Sequence, residues 1–200
     1  MMLRFVRFAA VLGATLGFAS ALPQTANAQY DERATILSGG APAGKGYDFF
    51  TGNINAIPKR TVNYSGEHKP GTIVINTAER RLYLVQEGGT AIRYGIGVGR
   101  VGFTWKGTKT ITQKKEWPAW TPPAQMLKRR PDLPRHMVGG IDNPLGARAM
   151  YLGSTLYRIH GSNEPETIGQ AVSSGCFRMT NEDVTDLYAR VKVGTTVVVQ

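Results

Sequence analysis

The stretch HGSNEPETIGQAVSSGCFRM, residues 160 to 179, holds the chain's one cysteine, Cys176, sixteen residues after His160. A cysteine attacks a carbonyl as its thiolate, so it needs an imidazole, a cation or a helix terminus beside it. The fold, not the sequence, must bring that partner in. His160 stands at the end of LYRIHG, which reads as a strand. It is therefore placed to face a cleft and accept the thiol proton. Gly175 lets the backbone approach a substrate closely, and the amides of Gly175 and Cys176 could serve as an oxyanion hole. Arg178 follows two residues later, so in an extended chain its side chain shares a face with Cys176. There a guanidinium could hold a substrate carboxylate with two parallel hydrogen bonds. Each residue alone has a bland reading. A lone cysteine is commonly an inert buried hydrophobe, a strand-end histidine a satisfied core group, and an arginine a surface charge. His68 and His136, in polar or Pro-containing surroundings, fit that reading. The constellation is more specific than its parts.

Short apolar and β-branched runs broken by turn residues surround this stretch, which is the pattern of strands. TIVIN, RLYLVQ and AIRYGIGVG read as successive strands, with Glu87-Gly88-Gly89 as the turn between the second and third. TKTITQKK alternates as a half-exposed strand, and AMYLG and LYRIHG follow as two more. The Pro-containing segment from Trp117 to Gly146 has room for one short helix near Ala124 to Arg130, and PETIGQ for a single helical turn. NEDVTDLYARV carries Val184, Leu187, Tyr188 and Val191 at helical spacing, with Thr180 and Asp183 as a cap. GTTVVVQ closes the chain as a last strand. The expected fold is mainly β with short helices.

Residues 1–28 have the parts of a secretory leader. Arg4 and Arg7 precede an apolar run from Phe8 to Ala19, and Ala26-Asn27-Ala28 forms a small-x-small cleavage site. The expectation is an exported, periplasmic protein cleaved after Ala28, with no membrane span. Residues 29–66, rich in Gly, Ala, Pro and Asn, read as an N-terminal arm or linker, and residues 67–200 as the folded domain. One cysteine cannot form an internal disulfide, and a lone thiol outside the cytoplasm invites oxidation unless it is used. The formal charge of +10 suits a solvated surface or attraction to a carboxylate-rich polymer, and export argues against nucleic acid.

Gly97-Val98-Gly99-Arg100-Val101-Gly102 matches the spacing of dinucleotide-binding loops. That motif needs a helix directly after the glycines to receive the pyrophosphate. FTWKGTKTITQ follows instead, which is turn and strand, so the glycines serve close packing.

His160-Gly161-Ser162 followed by Ser173-Ser174-Gly175-Cys176-Phe177-Arg178-Met179 resembles the signature of the L,D-transpeptidase catalytic domain of the YkuD type. The likeness runs from about Gly71 to Gln200 and takes in IVINTAERRLYLVQEGG, GIGVGRVGF, WPAWTPP and NPLGARAMYLGSTLYRIHG. It implies a β-sandwich with mixed sheets and a cysteine acyl transfer on peptidoglycan. Cys176 would be the nucleophile, His160 the base, and the Gly161 carbonyl the group that orients its ring, with Gly175 beside the nucleophile. Arg178, Ser173, Ser174 and Tyr151 would contact substrate. The donor would be a tetrapeptide stem and the acceptor an amine of another stem or of an envelope protein. A carbapenem would inhibit, and no cofactor or metal is implied. Many members have a second histidine where this chain has Ser174, so any role of that histidine is absent or taken over. Two rivals stand beside this reading. One is an L,D-carboxypeptidase or amidase of the same fold that transfers to water, and the other a silent wall-binding module.

Overall fold

The buried triple Ile73, Val74 and Ile75 lies near the centre of the sheet in the computed structural model, which describes residues 57–200. The expected leader and most of the arm lie outside the described residues. β1 (Arg60–Asn63) comes from the end of that arm and pairs antiparallel with β4 (Thr90–Gly95) as an edge strand. β2 (Ile73–Asn76) and β3 (Arg81–Gln86) pair antiparallel, and β3 pairs with β4 through the turn Glu87-Gly88-Gly89. Gly88 and Gly89 have φ of 71° and 67°, a region that glycine enters without steric cost.

β5 (Val98–Gly99) leaves this sheet. β6 (Gly107–Glu116) is the long strand that joins two halves, because its start pairs with β11 (Thr196–Val199) and its end with β7 (Arg148–Leu152). A register shift between Ile111 and Gln113 marks the handover, as a bulge bends a strand. β8 (Arg158–His160) pairs antiparallel with β7, and β10 (Phe177–Arg178) lies parallel to β8. The nine-strand order is β1-β4-β3-β2-β11-β6-β7-β8-β10, and β5 with β9 (Ala171–Ser173) makes a separate parallel pair. Parallel neighbours occur at β2·β11 and β8·β10 within an otherwise antiparallel order, so the sheets are mixed. The sequence pattern did not predict β1, β9 and β10. They are short, and β10 lies inside the motif read for its chemistry.

Both halves share one core. Ile73, Leu82 and Tyr94 from one half and Met150, Ile159 and Phe177 from the other are all at most 1% exposed. α2 (Asn181–Arg190) lays Val184 and Leu187 into it, and Val191 just beyond its end follows. The Thr180 hydroxyl accepts from the Asp183 amide at 3.1 Å, and acidic first-turn residues and Arg190 suit the helix dipole. At the other end Lys114 Nζ donates to the carbonyls of Tyr188 (2.7 Å) and Val191 (2.6 Å), which a helix terminus leaves unpaired. α1 (Ala124–Arg129) packs elsewhere, with Met126 and Leu127 against a second cluster of Trp120, Leu133 and Leu145.

Leu187→Ala should lower unfolding free energy by about 2–5 kcal/mol in urea titration, since it empties a fully buried site. Val101→Ala, at a side chain 97% exposed, should stay within about 0.5 kcal/mol of wild type. Equal effects at the two positions would mean the core is not where the strand pattern puts it.

Candidate active site

β8 and β10 pair in parallel with Ile159 beside Phe177 and His160 beside Arg178. Ile159 and Phe177 point into the core, so alternation turns their neighbours to the other face. The His160 Nδ1 atom lies 2.6 Å from the Gly161 carbonyl oxygen. A carbonyl only accepts, so Nδ1 carries the proton and Nε2 keeps its lone pair. The start of α2 closes round this point. Asn181 Oδ1 accepts from the Ala147 amide at 2.9 Å, and a Cβ on Gly161 would overlap the same oxygen.

The loop before Cys176 is held by its neighbours. Ser173 Oγ accepts from the Gly175 amide at 3.1 Å and donates to the Cys176 carbonyl at 2.6 Å. One hydroxyl thus clamps the turn at both ends. Gly175 has φ of 105°, where L side chains are strained, and a Cβ there would come within 2.7 Å of the Tyr157 ring. Trp105 Nε1 donates to the Gly175 carbonyl at 2.9 Å, and its ring stacks on Tyr157 with centroids 4.6 Å apart. The partly exposed Cys176 donates from Sγ to the Leu156 carbonyl at 3.5 Å. Behind the loop runs the glycine-rich segment. Gly97 exchanges two backbone hydrogen bonds of 2.9 Å with Arg178, and a Cβ on Gly99 would lie 3.2 Å from Gly175 Cα.

Cys176, His160 and Arg178 line one cleft of about 370 Å³, with Arg158, Ser173 and Ser174. That volume suits a ligand site. Arg178 Nη1 sits 2.7 Å from Glu164 Oε2, and the two side chains are 10% and 1% exposed. Burial pushes the His160 pKa down to about 3, helped by the charges of Arg178 and Arg158 and opposed by the Gly161 and Pro144 carbonyls. The resting imidazole is neutral. Burial also raises the Cys176 thiol, and Arg158 leads the groups that pull it back. Among the described residues no His, Cys, Asp and Glu group has a metal-binding arrangement.

The structure therefore gathers Cys176, His160, Gly161, Gly175, Ser173, Ser174 and Arg178. It does not bring Tyr151 to the cleft lining. That half-buried residue of β7 lies under the guanidinium of Arg158, 5.3 Å from its ring centroid, and near Lys115. Three expected roles also meet prior commitments. The Gly175 amide and the Ser173 hydroxyl are engaged with each other, and Arg178 already holds the Glu164 carboxylate. Trp105, Tyr157, Arg158 and Glu164 were not foreseen. Arg158 could have been found, since it stands two residues before His160 in a strand and so shares its face. Nothing in the sequence pairs Glu164 with Arg178.

Residues 70–199 match the family model of the YkuD L,D-transpeptidase catalytic domain. The chain is 39% identical over 173 residues to YbiS of Escherichia coli K12, described as a probable L,D-transpeptidase, covering 80% of this chain and 55% of that one. A crystal structure from Brucella melitensis, described as a probable carnitine operon oxidoreductase, is 50% identical, covers 72% of this chain and 94% of that one, and superposes with a TM-score of 0.49. The L,D-transpeptidase LdtMt1, solved in complex with imipenem, is 12% identical with a TM-score of 0.50, over 64% of this chain and 58% of that one. The chain thus spans little more than half the length of the E. coli relative.

The depressed His160 pKa has a stability consequence. Between the unfolded value of about 6.5 and the folded value of about 3, the unfolded chain binds a proton that the native state refuses. Stability therefore falls as pH drops through this window. His160→Gln should flatten that loss, seen as a shallower dependence of the urea midpoint on pH between pH 6 and pH 4. Parallel curves for the two proteins would show that His160 is not buried as a neutral ring.

Proposed function

Because the chain belongs to the L,D-transpeptidase catalytic-domain family, we propose that it is a cysteine acyltransferase acting on peptidoglycan stem peptides outside the cytoplasm. The observation that carries this reading is the shared cleft of Cys176 and a His160 whose Nδ1 is tied to the Gly161 carbonyl. The ring presents Nε2 as the acceptor for the thiol proton. Sulfur then bonds to the carbonyl carbon at the L-centre of diaminopimelate in a tetrapeptide donor. The imidazolium returns its proton to the departing D-alanine amine as the C–N bond breaks, leaving a thioester. An amine of a second stem or of an envelope protein attacks that thioester and restores the thiol.

The anchored loop supports the oxyanion stage. In a trans peptide the carbonyl and the amide point in opposite directions. Trp105 holds the Gly175 carbonyl, so the Cys176 amide of the same unit is directed away from Trp105 and is the donor for a developing oxyanion. Ser173 acts by shaping this turn. Arg178, braced by Glu164, which matches its charge, lines the cleft as a hydrogen-bond donor for the carboxylates of the stem. The N-terminal leader supports export, and among the described residues no helix is long and apolar enough to cross a membrane.

Purified protein incubated with tetrapeptide muropeptides should yield cross-linked dimers by mass spectrometry, and Cys176→Ser should yield none while keeping its melting temperature. Tripeptides without dimers would assign the transfer to water. Unchanged turnover in the serine variant would remove the thiol from the mechanism.

Imipenem binding by LdtMt1 supports a second expectation, that a carbapenem acylates Cys176 through its strained β-lactam carbonyl. Intact-mass measurement should show one added carbapenem on wild type and none on Cys176→Ser. An adduct on both proteins would place the reactive group elsewhere.

A further inference from the structure

We propose that Arg158 is a catalytic residue of this site, the fixed counter-charge that receives the Cys176 sulfur once it has lost its proton. The proposal deepens the cysteine chemistry above and rests on it. Two arginines flank the thiol in the cleft, and they differ in what they already hold. Arg178 is matched by the buried Glu164 carboxylate at 2.7 Å. Arg158 has no carboxylate within ion-pair distance among the described residues, and its Nε is buried without a hydrogen-bond partner there. Its guanidinium rests instead on the face of Tyr151, 5.3 Å from the ring centroid, a contact that orients a cation without neutralising it. A partly buried, unmatched charge is costly, and an anion beside it relieves that cost.

The register supplies the anion. Phe177 pairs with Ile159 and Arg178 with His160, so Cys176 enters β10 at the level where Arg158 enters that pairing, and both side chains line the cleft. The charged and titratable groups about the sulfur are then Arg158 and His160 from β8, Arg178 from β10 with its partner Glu164 from the segment after β8, and Arg129 across the cleft from α1. In the resting state the thiol donates to the Leu156 carbonyl. That carbonyl can accept from a thiol but repels a thiolate. When the S–H bond breaks, its proton passes to Nε2 of His160 and the electron pair stays on sulfur, which turns to the guanidinium. Burial raises the thiol, and Arg158 is the foremost group opposing that rise. Tyr151, absent from the cleft lining, positions Arg158.

Alkylation of Cys176 tests this without any peptidoglycan substrate. The rate of reaction of the full chain with iodoacetamide, in which the S–C bond forms and iodide leaves, is measured from pH 5.5 to pH 10. Arg158→Gln should move the midpoint of the profile up by about one unit, a roughly tenfold slower reaction at pH 7 that recovers above the thiol's own midpoint. Anionic iodoacetate should lose more rate than neutral iodoacetamide, and Arg158→Lys should keep most of both. Should the glutamine variant not fold, Arg158→Met, whose straight apolar chain can still cover Tyr151, replaces it. Superposed profiles for wild type and either neutral variant overturn the proposal. So does a lysine variant that shifts as far as the neutral one, because shape and not charge would then be at work. A wild type that alkylates as described but forms no muropeptide product would leave this assignment standing and bring down the acyltransfer reading alone.

Discussion

Two residue pairs, Ile159 beside Phe177 and His160 beside Arg178, hold the whole site in register. The ladder between β8 and β10 is too short to be strong by itself. Its stability comes from Ile159 and Phe177, which the shared core buries to 0% and 1% exposure, and from the two hydrogen bonds that tie Arg178 to Gly97 on its other edge. A slip of one residue would turn His160 and Arg178 into an apolar core and expel the two hydrophobes. The chemistry of the cleft and the packing of the core are thus one constraint. His160 and Cys176 reach one cleft because their neighbours in sequence have nowhere else to go.

Charge in the cleft follows from the same arrangement. β8 carries Arg158 and His160, β10 carries Arg178 just after Cys176, and Glu164 neutralises one of the two arginines. The positive surroundings and the burial both keep His160 neutral. A neutral imidazole beside a raised thiol means that the resting site is uncharged at its centre. In the proposed mechanism charge appears there only as the thiol gives up its proton, when both product ions are weakly solvated. Under those conditions fixed dipoles and charges count most, because no water needs to reorganise round them. In that mechanism the Cys176 amide, the tied Gly161 carbonyl and Arg158 supply them.

Most of the fold was legible in the sequence because its strands are short apolar and β-branched runs, some buried throughout and some alternating, and because turn residues separate them. β2, β3, β4, β6, β7, β8 and β11 were read in this way, as were the short helices. β9 and β10 were not, since a two- or three-residue strand has no period to detect, and β1 was not because it lies in the stretch read as an arm. The motif was legible, with Cys176 and His160 singled out from type and order and Gly161 from the family resemblance, and the structure brings the three into one region. Partnership was harder to see. Whether Arg178 faces solvent or Glu164, and whether Ser173 faces substrate or its own turn, depends on contacts between segments that no spacing encodes. Tyr151 shows the limit clearly, since strand alternation alone does not say that an arginine from the next strand lies over its ring.

The glycines from Gly97 to Gly102 show how the same residues answer to different physics. In a dinucleotide-binding loop their spacing makes room for a pyrophosphate at a helix N-terminus. Here β5 follows Gly97, and the room is used by protein. A Cβ on Gly97 would press on the Thr167 carbonyl at 3.0 Å and on Arg178 Cβ at 3.3 Å, and one on Gly99 would meet the Phe103 carbonyl at 2.6 Å. The missing side chains let the segment lie flat against the strand that carries Arg178 and the turn that carries Cys176. Trp105, six residues past Gly99, then reaches over to hold the Gly175 carbonyl. The spacing therefore reports close backbone approach in both cases. What approaches is decided by the element that comes next, and a strand after the glycines makes them the backing of the turn that carries Cys176.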